Sequence, residues 1–473
     1  MKAGPTTPSH RVARQSEGRS LRAKCPRSSH SKTASSRSGR DPLSLVEKST
    51  KGRVTHLLPI RFTRMLESPF AFFRGTAVIQ AHDLKNTPSA GIIVQSCGDC
   101  HLANFGAFAS PERTLIFDIN DFDETLPAPF EWDVKRLASS FVLASRWRNF
   151  GKKEGHRTSR AVIKAYREQM ATFAEMHTLD VWYAHVAVGD LIDRFGSDPE
   201  LEERLDQAVQ TAHRHTSEAG LHKMTRDVRG RRPRIMDQPP LIYHLDPSKF
   251  DLKKDIVPFF EVYRATLSLD RQVLFDRFQL VDAAFKVVGV GSVGTHCYVT
   301  LWMTDVGDPL FLQVKEALPS VLEGVAGSSH YGNNGERVVI GQRVMQSSSD
   351  IFLGWARGPR GNDFYVRQLR DQKSSIDLAT ASERGLVAYA IACGQTLARA
   401  HAKSGTASEI SGYLGSGSNF DDAITDYAEA YADQVEKDYN AFHVAVRAGR
   451  FPTEASSSEI KTPSDKPKGR KQK

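Results

Sequence analysis

The chain has 473 residues, 40% hydrophobic and 25% charged, which excludes a fibrous or wholly disordered protein and leaves room for two or three packed domains. It contains no apolar run approaching the roughly 18 residues of a membrane span, and nothing near the N-terminus resembles the apolar core of a secretory signal. Residues 1–53 hold 13 Lys/Arg against three acids and residues 451–473 hold six against three; of a net +9 the ends carry +10 and +3, so the middle stands at −4 and a nucleic-acid partner is not expected for the core.

Residues 1–45 are rich in Ser, Arg, Lys and Pro and read as a disordered basic tail, with charge enough to touch nucleic acid or another anionic surface. The Arg- and Ser-rich, acid-poor composition overlaps with organelle transit peptides but lacks their apolar helical face. Order is expected from residues 57–75, LLPIRFTRMLESPFAFFRG. Residues 91–99 read as a buried strand running into a loop, and residues 114–124, TLIFDINDFDE, as a second strand ending in acids. Residues 132–147 pattern as a helix with Val134, Leu137, Ala138, Phe141 and Val142 on one face. Residues 152–222 look mostly helical, with a start near Asp198, and residues 226–240 form a basic, proline-closed loop. The segments 285–303, 309–317 and 364–372 pattern as an antiparallel sheet. Helices are expected over 382–403 and 420–448, before a second basic tail.

Five cysteines, an odd number, fit a reducing cytoplasm better than a disulfide framework. Cys97-Gly98-Asp99-Cys100-His101 has the spacing of a haem-attachment motif, but no export signal or second axial ligand accompanies it. Zinc is equally short of ligands, because the chain has no second C-x-x-C pair. Cys97 and Cys100 are therefore expected to pack beside the loop.

A phosphotransferase reading uses the same string differently. Such an enzyme needs a carboxylate to orient the acceptor hydroxyl, and an amide with a second carboxylate to hold Mg²⁺ against the phosphates. Asp99 and Asn104 have the five-residue spacing of a kinase catalytic loop. Asp118 follows as the expected metal ligand, with Asp121 and Asp123 as reserves; four acids within 118–124 repel one another unless a cation is near. Gly289, Gly291, Ser292 and Gly294 precede a strand-like run rather than a helix, which suits a hairpin over nucleotide phosphates better than a dinucleotide fold. Lys315 lies inside an apolar strand and needs a partner; Glu323 and Glu336 are candidates, with Glu336 preferred.

The motifs RMLESPFAFFRG, CGDCHLANFG, FDINDFDE, WDVKRLASS and VVGVGSVGTHCYV…LFLQVKEA, in this order over roughly residues 50–445, resemble the bacterial domain of unknown function 2252 family. That family in turn resembles the protein-kinase-like superfamily of aminoglycoside and choline phosphotransferases. The resemblance implies ATP and Mg as cofactors, Asp99 as base, His101 as loop histidine, Asn104 and Asp118 as metal ligands, and Asp133 as a brace for the loop. Residues 396–402, TLARAHA, resemble the helix that precedes that loop. Two departures stand out: Cys97 replaces the first His of the family loop, and the catalytic-loop motifs precede the glycine loop and lysine.

The expected fold is α+β: a kinase-like two-lobed, circularly permuted chain with a small antiparallel sheet lobe and a larger helical lobe. Residues 46–150 would hold the catalytic loop, 151–280 a helical substrate region, 281–375 the nucleotide lobe, 376–448 further large-lobe helices and 449–473 a tail. The expected activity is phosphoryl transfer to an unknown hydroxyl acceptor in the cytoplasm. The alternatives are a nucleotide-binding regulator without transfer, or an AMP-transferring variant. The reading requires Lys315 and Asp118 to face one cleft.

Overall fold

A computed structural model describes residues 10–33, 40–195, 199–214, 216–226, 233–246, 256–369, 374 and 376–455. The helices are α1 (His10–Ser20), α2 (Pro42–Lys48), α3 (Leu58–Met65), α4 (Pro69–Gly75), α5 (Ala77–Leu84), α6 (Phe130–Trp147), α7 (Lys152–Glu175), α8 (Thr178–Tyr183), α9 (Val188–Phe195), α10 (Pro199–Arg214), α11 (Ser217–Met224), α12 (Val257–Arg264), α13 (Leu269–Phe275), α14 (Asn334–Met345), α15 (Glu383–Ser404), α16 (Ala407–Leu414) and α17 (Asn419–Arg447). The strands are β1 (Ile93–Ser96), β2 (Phe105–Ala109), β3 (Leu115–Ile119), β4 (Leu126–Pro129), β5 (Thr225–Arg226), β6 (Arg234–Ile235), β7 (Ile242–Tyr243), β8 (Gln279–Lys286), β9 (Cys297–Met303), β10 (Pro309–Glu316), β11 (Gly354–Arg357) and β12 (Asp363–Gln368).

The fold is α+β with small antiparallel sheets. The largest has six strands in the order β11-β12-β10-β9-β8-β7, and β1–β4, β2–β3 and β5–β6 are two-stranded pairs. Long apolar stripes give the helices a single continuous core, in which α6, α7, α15 and α17 meet. Close helix approach depends on a missing side chain at Gly394, where a Cβ would stand 2.2 Å from the Val162 carbonyl oxygen. Smaller aromatic-rich cores flank the six-stranded sheet, one of them around Phe260, Phe275 and Trp302.

The N-terminal expectation is corrected. Residues 10–33 are not a disordered tail but α1 followed by two short 3-10 turns. Their arginines find work at a helix end: Arg22 donates to the carbonyls of Tyr413 and Gly412, and Arg27 to that of Leu414, satisfying the C-terminal carbonyls of α16. His30 is fully buried and bonds Tyr413 Oη at 2.6 Å. The strand expected over 114–124 stops at Ile119. Of the basic segments, residues 227–232 of the 226–240 loop and residues 456–473 of the C-terminal tail lie outside the described residues. Among the described residues no helix is long and apolar enough to cross a membrane.

Candidate active site

The site grows from the pairing of β1 with β4, which sets Ser96 opposite Leu126. Everything between them, the loop 97–104, the β2–β3 hairpin and the return segment 120–125, must leave and re-enter at one point. The hairpin closes so that Asn120 N–H donates to the Asn104 carbonyl at 2.7 Å. The two ends of the hairpin thereby bring Asn104 beside Asn120, the residue before Asp121, and Asn104 and Asp121 line one cavity.

The loop is braced from below. The Asp133 carboxylate, in the first turn of α6, accepts from the amides of Cys97 (2.6 Å) and Gly98 (3.0 Å), and His401 Nε2 lies 3.3 Å from it. Gly98 adopts φ +83°, and a Cβ there would stand 2.2 Å from the Glu124 carbonyl oxygen, so the turn needs glycine. Cys97 and Cys100 are fully buried members of the helical core. The C-terminal turns of α15 close the loop from another side, with Ser404 Oγ accepting from Gln95 N–H at 3.1 Å.

One cavity of about 180 Å³ collects most of the expected residues: Asp99, His101, Asn104 and Asp121 from the hairpin side, Gly289, Gly291, Ser292 and Lys315 from the sheet side. Asp99 Oδ1 accepts from Arg136 Nε at 2.5 Å, and Asn104 Nδ2 donates to the Asp99 carbonyl at 2.8 Å. His101 Nε2 stands 3.9 Å from Asp99 Oδ2; burial pushes the imidazole down to about 3, so it is neutral at ordinary pH. Ser292 Oγ donates to Asp123 Oδ2 at 3.2 Å, tying the glycine loop to the acidic segment.

Three expectations fail on geometry. Asp118 does not line the cavity. It is fully buried in β3, where Arg399 Nη2 (2.6 Å) and the Ser347 amide and hydroxyl (both 2.9 Å) take up its oxygens. The required pairing of Lys315 and Asp118 across one cleft is therefore absent; Asp121, two residues past the end of β3, lines the cavity and Asp118 does not. Glu336 is not the partner of Lys315. The ammonium instead bonds Asp123, with Asp121 at 3.8 Å. From α14 it is Arg337 that reaches this region, donating to the carbonyls of Asp123, Thr125 and Leu318. Gly294 does not line the cavity either; with φ +90° it turns the chain beside Arg53, and its carbonyl accepts from Val54 N–H at 2.7 Å.

The electrostatics follow the contacts. Burial works against the Lys315 ammonium, but the fields of Asp121 and Asp123 outweigh it and hold its pKa above the ordinary value. Burial likewise opposes the Asp123 carboxylate, yet Lys315, reinforced by the Tyr365 hydroxyl at 2.8 Å, brings it below the usual range. Asp121 goes the other way, raised first by burial and then by Asp123. Burial pushes Glu124 up to about 7, partly offset by the Val321 amide.

A family model described as an uncharacterized protein conserved in bacteria, DUF2252, matches residues 53–445. The chain belongs to that family. No curated protein and no solved structure matches it. The matched DUF2252 span includes cavity arginines to which no site role is assigned from the sequence, although Arg74 falls within the first motif. Arg53, Arg61 and Arg74 line the wall made by residues 49–78, and Arg367 donates to Gln313 Oε1 (3.0 Å) and the Asn120 carbonyl (2.9 Å). Arg61 and Arg74 stand in stretches whose apolar pattern marks core helices, and a lone arginine there reads as solvent-facing. The one available signal is their number: four arginines between residues 53 and 75 are expensive in a segment built to be buried.

Proposed function

We propose that this protein is an ATP- and Mg²⁺-dependent phosphotransferase of circularly permuted kinase-like fold, acting on a hydroxyl acceptor. Asp118, required beside Lys315, lies outside the cavity, and the reading stands only with Asp121 in its role. What carries it is the meeting, in one cavity, of Asp99, Asn104 and Asp121 with Lys315 and the Gly289–Ser292 loop. Two further features support it. The sheet runs β8, β9, β10 with its lysine, then α14, then β11 and β12, the element order of a kinase small lobe. The end of α15 abuts β1, the neighbourhood that a circularly permuted kinase-like chain would need.

The donor set suits magnesium. Among the described residues no group of three or more His, Cys, Asp and Glu converges as a complete metal cage. Mg²⁺ in nucleotide sites takes one or two protein oxygens and completes its shell with phosphates and water. Asn104 keeps its amide oxygen while its Nδ2 is occupied, and Asp121 is a carboxylate held up by burial and by Asp123, which a cation would relieve. Bound Mg²⁺ supplies charge neutralisation for the phosphates.

The chain's own residues do the rest. Lys315 is protonated and anchored by Asp123, ready to pair with a phosphate oxygen. The glycine loop approaches the phosphates without side-chain obstruction at Gly289 and Gly291. Asp99, held by Arg136, orients the acceptor hydroxyl and accepts its proton, with neutral His101 beside it. Calorimetric titration with ATP, with and without Mg²⁺, on wild type and Asp121→Asn tests this. Magnesium-dependent binding lost in Asp121→Asn is expected. Binding indifferent to both would make the protein a nucleotide-binding regulator, and no ATP binding would end the reading.

A further inference from the structure

The cavity wall made by residues 49–78, which packs against the glycine loop, has an unusual charge. Several buried guanidiniums elsewhere in the chain are paired with acids: Arg399 with Asp118, Arg136 with Asp99, Arg167 with Asp421, and Arg40 with Asp83 and Asp438; Arg337, which donates only to carbonyls, is an exception that stands alone rather than in a cluster. Arg61 is only 1% exposed, yet it donates to neutral acceptors alone, Ser49 Oγ (3.2 and 3.1 Å) and the Gly75 carbonyl (2.9 Å), and its Nε has no partner. Arg74 Nε is also buried without a partner, and Arg53 donates only to the carbonyls of Ser49 and Val293. Among the described residues none of the three makes an ion pair. Burial lowers the affinity of all three for their protons, and at Arg61 the neighbouring charge of Arg53 adds to it.

Cavity acids act on Arg53 and Arg74 only from a distance and none acts on Arg61, and a buried cation with no acid in contact is costly unless something outside the chain supplies a counter-charge. Three guanidinium forks on one wall suit a dianion with several oxygens, because each fork can bind two of them. The wall belongs to other elements than Lys315 and Arg367, which lie on β10 and β12, and it extends toward Asp99: Arg136 donates both to Asp99 and to the carbonyl of Phe73, the neighbour of Arg74, and Asp99 and Arg74 line the same cavity.

We infer that Arg53, Arg61 and Arg74 form a phosphate-class anion site, and that the acceptor is a hydroxyl compound carrying such a group, held here while its hydroxyl faces Asp99. The assignment to the acceptor rests on the phosphotransferase reading; the anion site itself does not.

Calorimetric titration with inorganic phosphate tests it, on the full chain alone and on the chain saturated with a non-cleavable ATP analogue and Mg²⁺. Wild type should bind phosphate in both states, and Arg61→Met should bind at least tenfold more weakly. Arg61→Met removes an unpaired buried charge, so its thermal midpoint in phosphate-free buffer should equal or exceed that of wild type. Arg74→Gln, expected to weaken phosphate in the same way, carries the comparison if Arg61→Met does not fold. No phosphate binding, or equal binding in these variants, overturns the anion site. Displacement of phosphate by the analogue overturns the acceptor assignment and gives the arginines to the nucleotide. Arg61-dependent phosphate binding in a protein that ignores ATP upholds the anion site while the phosphotransferase reading falls.

Discussion

Asp118→Asn separates a structural carboxylate from a metal ligand. In the structure Asp118 faces Arg399, and both side chains are about 1% exposed. Arg399 has two further nitrogens, Nε and Nη1, that are buried without partners, so the carboxylate supplies most of what stabilises that charge. The asparagine keeps an oxygen for the Ser347 amide and hydroxyl but removes the counter-charge. Breaking a buried pair from one side costs about 3–5 kcal/mol. Urea denaturation of Asp118→Asn should therefore show a loss of that size, visible as a lower midpoint at unchanged slope. Asp121→Asn, which removes a carboxylate already raised by burial, should lose little or nothing in the same assay. If Asp118→Asn were as stable as wild type but had lost magnesium-dependent ATP binding, the burial argument would be wrong and Asp118 would return as the ligand.

Further consequences concern the loop and its surroundings. Asp133→Ala leaves the amides of Cys97 and Gly98 without their acceptor, and at about 1–3 kcal/mol for each unsatisfied group it should destabilise the protein severely in thermal melts. Gly98→Ala combines a positive φ with a 2.2 Å approach to backbone, so soluble yield should fall while Gly289→Ala, with nothing within 4 Å, folds normally. Glu124 is raised from 4.5 to about 7, so stability should decline as pH climbs through that window; Glu124→Gln should remove about 1–3 kcal/mol of the decline between pH 5 and pH 8 in denaturant titrations. His101 is lowered from 6.5 to about 3, so its contribution is complete above 6.5 and is lost on acidification; at pH 5 wild type should have lost about 2 kcal/mol that His101→Asn retains.

The motifs make the pieces of the site legible, and the strand ends hide its details. Alternation and β-branched residues locate β1, β9, β10 and β12, and an apolar stripe locates α15. Asp118, Asp121 and Asp123 differ only in where β3 stops. A strand to residue 124 would put Asp118 and the later acids in one ladder, whereas a strand ending at Ile119 hides Asp118 opposite Gly106 and frees Asp121 into the return loop. That end is set by the Asn120–Asn104 hydrogen bond, a closure no local pattern encodes. The partner of Lys315 escapes sequence reasoning for a related reason: the comparison with a kinase strand lysine favours a glutamate heading the next helix, Glu336, and Asp123 is 192 residues away. The order of residues 10–33 is hidden because Arg22 and Arg27, which cap a distant helix from the turns after α1, are compositionally identical to arginines in a solvated tail.

The dependence of the early loop on α15 has a consequence for how the protein is made. Asp118 waits for Arg399, 281 residues further on, and Gln95 waits for Ser404, 309 residues on. At ribosomal rates of about 5–20 residues per second that is a delay of roughly 15–60 s, during which the hairpin has left the exit tunnel without the groups that bury its carboxylate. The first segments synthesised are thus among the last to reach their final state. A nascent chain stalled before residue 399 should stay open to proteolysis through β1–β4, and one released whole should become resistant there.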